Sequence, residues 1–382
     1  MINMRAVACA IYFGIISILN INCNVEGFQI PGIPLSRRQL LISTTIPLIT
    51  QINQINQITP IIRNNDYVTV IGASGETGKE CVRILTEEGK KVKAVSRKPQ
   101  DNYDFDNALV ESISLDIKDR KSENQLNTAL KGSSAVIFLA NAKKKYKYIK
   151  TDVEEFQNYE DIDVYAMQNI VKGCIKHRIP RLVYVSGSCR SCMSDINTDY
   201  DKICGLECEH CIAKQIGENI IRKEYSTYNN IDYTIVRTGY LFNGVTRGVE
   251  EIELNQDYSK SGMISRVDLA NLCIRTIEND KTARTTFEAY YRDTTQPYDV
   301  KESLSKCTSL GKSVEECFFG SRFKDKKPEN IEDVRKNPVK GSLFTTGEEY
   351  NGESWNELFG SLKKDKVDLQ KMLQEFKNAN ID

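Results

Sequence analysis

The stretch YVTVIGASGETGKECVRILTEEGKKVKAVSRK, Tyr67–Lys98, constrains the fold more than any other. Its opening run, YVTVIGA, is β-rich and apolar, which suits a strand buried on both faces. It leads straight into Gly72, Gly75 and Gly78. A helical pattern, KECVRILTEEG, follows, with Val82 and Leu85 as apolar contacts and Gly89 as the stop. KVKAVSR is then a second strand. A glycine motif alone is weak, but strand, glycines, helix and strand within about 30 residues give it meaning. The spacing G-x-x-G-x-x-G makes a tight turn whose backbone N–H groups can approach a pyrophosphate at a helix N-terminus. The candidate contacts are Gly72, Ala73, Ser74, Gly75, Glu76, Thr77 and Gly78.

An acidic residue at the end of the second strand would bind the ribose 2′-OH of NAD. Here the strand ends in Ser96, Arg97 and Lys98. A guanidinium pairs with phosphate through charge-assisted bonds, so Arg97 favours the 2′-phosphate of NADP(H). The alternative for Arg97 is a solvated cation at a strand end. ESISLDIKD is a third strand, with Asp116 and Ile117 placed to meet the adenine. SSAVIFLANA is a fourth, ending at Ala140 and Asn141. DVYAMQNIVKGCIKHRI is an amphipathic helix and PRLVYVSGS a fifth strand. Strands alternating with helical patterns imply an α/β fold with a doubly wound parallel sheet, which binds ligands at the carboxyl ends of its strands.

The bulk numbers agree with a globular protein of one large domain or two ordinary ones, with a sizeable core. The chain has 382 residues, 40% hydrophobic and 27% charged. Its 52 Lys and Arg balance 52 Asp and Glu, so no global field argues for nucleic acid as a partner. KKKYKYIK, Lys143–Lys150, is a basic run expected to be a solvated loop.

Residues 1–63 are set apart as presequence and linker. One early Arg precedes an apolar run from Ala6 to about Ile21, the anatomy of a signal peptide. An uncleaved anchor is the alternative. Phe28 to Arg63 contains Arg37, Arg38 and many hydroxyl residues but no Asp or Glu, a transit-peptide composition. Together these resemble the bipartite presequence of secondary plastids, with Phe28 as the aromatic residue at the cleavage point. The expected location is the plastid, in the stroma or at a membrane face. SRRQLLIS also resembles a twin-arginine signal, which keeps the thylakoid lumen and the secretory pathway as alternatives.

Over about Val68 to Glu278 the chain resembles the short-chain dehydrogenase/reductase superfamily, in its atypical, NmrA-like branch. The resemblance is carried by VIGASGETGKECVRIL, LDIKD, VIFLANA, RIPRLVYVSGS, AKQIGENIIRKE, IDYTIVRTGYL and GMISRVDLANLCIRTIE. It implies a Rossmann fold over 64–290, a small substrate cap, and a Ser followed by Tyr-x-x-x-Lys as catalytic groups. Ser188 stands in the Ser position and Lys214 in the Lys position. The Tyr is replaced by His210, which shares a helix face with Lys214. Catalysis is therefore in doubt where cofactor binding is not. His210 as proton donor, loss of the chemistry with retained binding, and a reductase needing no Tyr all remain open.

Cys189, Cys192, Cys204, Cys208 and Cys211 crowd around this position. Cys189, Cys192, Cys208 and Cys211 have the spacing of a zinc or iron–sulfur site. A thiol–disulfide switch and free thiols are the alternatives. The seven other cysteines, Cys81, Cys174 and Cys273 among them, are expected to be small buried hydrophobes. Residues 291–382 form a C-terminal extension, polar at first. Trp355, Leu358, Phe359 and Leu362 then follow at helical spacing, for packing on the body or for docking a partner. The reading is a plastid NADP(H)-dependent reductase of a small molecule. Its rival is a cofactor-bound assembly or redox-sensing factor for photosynthetic complexes.

Overall fold

The computed structural model describes residues 66–98, 107–119, 121–141, 159–188, 208–256, 258–319, 331–337, 342–345 and 348–367. Residues 1–65, where a presequence is expected, the basic run 143–150 and Cys189, Cys192 and Cys204 lie outside them.

The opening stretch forms β1 (Tyr67–Ile71), α1 (Glu76–Glu87) and β2 (Lys91–Ser96). There follow β3 (Val110–Ser114), α2 (Glu123–Leu130) and β4 (Ser133–Phe138). A π-helical stretch (Asp161–Ala166) runs into α3 (Met167–Lys176), and β5 (Arg181–Gly187) follows. α4 (Cys208–Tyr225) leads to β6 (Asp232–Thr238), and β7 (Tyr240–Phe242) joins a separate two-stranded sheet. β8 (Ile252–Asn255), β9 (Lys260–Ser261) and β10 (Met263–Ser265) are short. α5 (Arg266–Ile277) and β11 (Thr285–Tyr291) complete the central body.

The main sheet has nine strands in the order β13-β8-β11-β6-β5-β4-β1-β2-β3, where β13 is Glu349–Tyr350. From β3 to β11 neighbours are parallel, and β8 and β13 are added antiparallel. The strand order reverses between β1 and β4, which opens a crevice at their carboxyl ends. Alternate side chains of the strands feed two cores, one on each face. Val68 and Val70 pack with Cys81, Val82 and Leu85 of α1 and Leu269 and Cys273 of α5. Ile71 and Val95 pack with Leu126, Leu130, Ile170, Val171 and Ile221 of α2, α3 and α4. The doubly wound sheet is thus the arrangement that buries both faces of apolar strands.

Cys81, Cys174 and Cys273 are buried and free, as small hydrophobes. Burial pushes the Cys174 and Cys273 thiols up to about 12, so neither supplies a thiolate. Cys307 and Cys317 depart from that expectation. They form a disulfide with a Cα–Cα distance of 5.8 Å. It joins α6 (Val300–Ser309) to α7 (Val314–Phe319) over a small cluster with Leu343. Among the described residues that cluster has three buried members, Cys307, Cys317 and Leu343, with Leu304 and Phe318 packed against it, and the cross-link ties the two short helices over it.

The C-terminal segment packs on the body. α9 (Trp355–Phe359) is shorter than its apolar spacing suggests. Leu358 and Phe359 are buried in the α1–α5 core, with Trp355 and Leu362 packed against it. After Gly360 the chain straightens, because Asp365 is held at the sheet. Its carboxylate accepts from Thr286 N–H at 2.9 Å, Tyr233 O–H at 3.0 Å and Arg222 Nε at 3.2 Å. α8 (Ile331–Lys336) lies between α7 and β13 in sequence, and β12 (Gln296–Pro297) pairs with β9.

Candidate functional site

A cleft of about 510 Å³ lies over the carboxyl ends of β1, β2, β4, β5 and β6. Its floor is the glycine turn. Gly72 has φ +91°, and a Cβ there would sit 2.7 Å from Ala140 N. A Cβ on Gly78 would sit 2.2 Å from Gly72 O, and one on Gly75 would be 3.2 Å from the same atom. The turn is pinned to β2 by Gly72 N–H and Ala73 N–H, both donating to Val95 O, at 2.9 and 3.1 Å. α1 starts at Gly75 without a side-chain cap. The N–H groups of its first turn are therefore left for a ligand, which the positive end of the helix dipole favours when it is anionic. A turn in which a Cβ at Gly72 or Gly78 would collide with backbone, and one at Gly75 would be crowded, fits a pyrophosphate cradle.

Gly72, Ser74, Gly75, Glu76, Thr77 and Gly78 all line this cleft, while Ala73 is fully buried behind it. Ser96 and Arg97 line its β2 end. Ser96 Oγ donates to Lys98 O at 2.8 Å, and Ser114 Oγ to Arg97 O at 3.2 Å, so the strand-end turn is fixed while the Arg97 side chain is exposed. Lys98 is exposed and does not line the cleft. Asp116 and Ile117 line the adjoining wall, where Asp116 Oδ1 accepts from Lys118 N–H at 3.1 Å. Ala140 and Asn141 line the opposite side.

The far end carries the groups that the helix spacing brings together. His210 and Lys214, one turn apart on α4, both line the cleft and both are buried. The His210 ring stacks on Tyr159, with centroids 4.6 Å apart and planes at 15°. The Lys214 ammonium lies 2.8 Å from Asp163 Oδ1, donates to Val185 O at 3.3 Å and sits 5.0 Å from the centre of the Tyr184 ring. Ser188 is not brought to the cleft. Its N–H donates to Thr238 O at 2.8 Å, and its hydroxyl is buried with no hydrogen-bond partner among the described residues. Ser186, two residues earlier, lines the cleft instead. On the substrate side Leu241 and Arg266 complete the wall, and Arg266 Nε pairs with Glu76 at 2.9 Å.

Cys211 is buried and disulfide-bonded, so its sulfur carries no thiolate for a metal. Among the described residues no group of three or more His, Cys, Asp or Glu is placed to hold a metal ion.

Sequence reasoning missed Asp163, Tyr184, Ser186 and Arg266. Asp163 did carry a signal: it is an acidic residue flanked by Ile162 and Val164 in a helix that is otherwise apolar on that face. Such a carboxylate needs a cation, and Lys214 is the cation it meets.

The glycine turn, the cleft and the strand order find their counterpart in one family description, NAD(P)H-binding, which matches residues 72–280, more than half of the chain. The chain belongs to the NAD(P)H-binding family. The matched span starts at Gly72 and closes just after α5, so it contains every cleft-lining residue except Ile71. No curated protein matches the chain. Solved structures similar to this NAD(P)H-binding protein include an oxidoreductase from Lactococcus lactis, 19% identical, covering 64% of this chain and 97% of its own, with a TM-score of 0.47. A short-chain dehydrogenase/reductase from Veillonella parvula in complex with NADP is 18% identical over 60% of this chain and 96% of its own, TM-score 0.44. A short-chain dehydrogenase/reductase superfamily protein from Agrobacterium tumefaciens with bound NAD is 14% identical over 64% and 82%, TM-score 0.44.

Proposed function

We propose that this protein binds NADP(H) and reduces a small organic molecule. The observation that carries the reading is the single cleft that joins the glycine cradle to Arg97 at one end and to His210 and Lys214 at the other. The first turn of α1 takes the pyrophosphate. Arg97 takes the 2′-phosphate, and Lys214 offers an N–H to a ribose hydroxyl. Bound there, a reduced nicotinamide supplies hydride. Reduction of a carbonyl or quinone also needs a proton, and His210, in place of the family Tyr, is the cleft side chain assigned to carry it. Leu241, Val185 and Ile162 shield that end from water. The composition of residues 1–63 supports a plastid setting for this activity.

Arg97→Ala should weaken NADPH roughly 10- to 100-fold, the worth of one or two charge-assisted phosphate contacts, and leave NADH unchanged. Fluorescence titration of both nucleotides checks this. A native protein that binds NADPH no better than millimolar sinks the reading.

A second reading, a cofactor-bound assembly or sensing factor with little turnover, draws on the His210 ring stacked flat against Tyr159 and nine-tenths buried. NADPH oxidation across a panel of quinones, flavins and enones separates the two. Turnover that disappears in His210→Phe supports the reductase, and tight binding without turnover supports the factor.

A further inference from the structure

Two helices face each other across the far end of the cleft, and their side chains meet in two rungs. The stretch preceding α3 presents Tyr159 and, four residues on, Asp163. α4 presents His210 and, four residues on, Lys214. Tyr159 stacks on His210, and Asp163 pairs with Lys214 at 2.8 Å. The backbone is shaped for the second rung. Asp163 sits in the π-helical stretch, a widened turn of a kind that recurs at functional sites. Across from it α4 carries Gly217, where a Cβ would sit 2.4 Å from Asp163 O and 3.2 Å from the Tyr184 hydroxyl. Only a glycine lets the two helices close enough for the pair to form.

Asp163 is fully buried. Its Oδ1 accepts from Lys214 and from the Tyr184 hydroxyl at 3.0 Å, and its Oδ2 has no hydrogen-bond partner among the described residues. Lys214 is the only cation paired with it among the described residues. Burial first, and then Asp163, push the Tyr184 phenol far above its ordinary range, so it stays a donor to the carboxylate. Glu218, the next acid on α4, is taken by Arg222 and Arg237 at 2.9 and 2.7 Å. An ammonium has three N–H donors. Asp163 and Val185 O take two of those on Lys214, which leaves one for the cleft that Lys214 lines.

We infer that Asp163 is a positioning residue for Lys214: it fixes the ammonium so that its one remaining N–H meets the nicotinamide-side ribose of the dinucleotide. This rests on the NADP(H) reading above. Asp163 itself does not touch the nucleotide. Its effect is therefore confined to ligands that reach Lys214.

The test uses two ligands on the full chain. NADPH spans the whole cleft, whereas 2′,5′-ADP has the adenine and the 2′-phosphate but lacks the nicotinamide ribose. Asp163→Asn should weaken NADPH about 10-fold, the worth of one charge-assisted bond, with 2′,5′-ADP unchanged. Equal loss of both ligands, or loss of neither, overturns the inference. The double variant Asp163→Asn, Lys214→Met removes both charges together and leaves no buried ion unpaired, so it is informative even if Asp163→Asn alone does not fold. It should bind NADPH as Lys214→Met does, because Asp163 acts only through the lysine. A further drop in the double variant overturns the inference. Failure of the native protein to bind either ligand marks a failure of the NADP(H) reading itself.

Discussion

Replacing Gly78 by alanine should lower NADPH affinity by roughly 100-fold or more, the largest loss expected from a single methyl group in this protein. The added Cβ would stand 2.2 Å from Gly72 O, 2.8 Å from Ala73 Cα and 2.9 Å from Gly72 C. All three are backbone atoms, so no rotamer change relieves the clash, and the turn itself must move. That turn is also the floor of the cleft. A shift of its N–H groups lengthens several bonds to a phosphate at once, each worth roughly 1.5–3 kcal/mol. Gly89 is the control. It has φ +72° with nothing within 4 Å of a Cβ, so Gly89→Ala strains the backbone by about 1 kcal/mol without touching the cleft. Nucleotide titration and thermal melting of the two variants should separate cleanly. Equal NADPH affinity in Gly78→Ala and the native protein would refute the assignment of the phosphate cradle.

Glu218→Gln should cost about 3–5 kcal/mol and flatten the acid limb of the stability curve. Glu218 is buried on α4, one turn beyond Lys214, between Arg222 and Arg237. Burial pushes its pKa up, but the two guanidinium groups outweigh burial and hold it at about 2. The folded value lies below the unfolded one. The contribution is therefore complete above about pH 4.5 and is lost as pH falls toward 2, a difference on the order of 3 kcal/mol. The amide leaves two arginines facing each other with one fewer anion. Urea unfolding of native and variant protein between pH 2.5 and 7 isolates the effect, since all other carboxylates are common to both. Parallel curves over that range would show that Glu218 is not the group responsible. The network does more than stabilise. Arg237 also pairs with Glu288 of β11 at 3.0 Å, and Arg222 reaches Asp365 at 3.2 Å. The helix that carries His210 and Lys214 is thereby tied to the sheet and to the C-terminal segment.

Most parts of the site that were legible in the sequence sit where a strand ends. Gly72, Ser96, Arg97, Asp116, Ala140 and Asn141 follow apolar runs whose period fixes their place, and the glycines fix the turn. His210 and Lys214 were legible because four residues is one helical turn. Asp163 and Tyr184 were not, because their roles depend on how one helix and one strand pack against another, and a period within a single element does not report that. Ser186 and Ser188 show the limit of motif reading at a strand end. Both are near the cleft in sequence, and the backbone bond from Ser188 to Thr238 turns the second one inward. The Cys307–Cys317 bridge was hidden for a similar reason: two cysteines in a polar segment carry no mark of being neighbours. The short C-terminal helix was overestimated, since Trp355, Leu358, Phe359 and Leu362 keep helical spacing although the helix ends at Phe359.

The sheet ends on one flank in β13, only two residues long and antiparallel to β8. Its Glu349 is turned to the fully buried Lys260, 2.7 Å away, which also pairs with Glu253 at 3.0 Å. A strand that brief offers a newcomer almost no ladder of backbone donors and acceptors to extend. Among the described residues this flank is poorly suited to self-association by edge-to-edge strand addition, and copies of the chain that meet there would do so mainly through side chains.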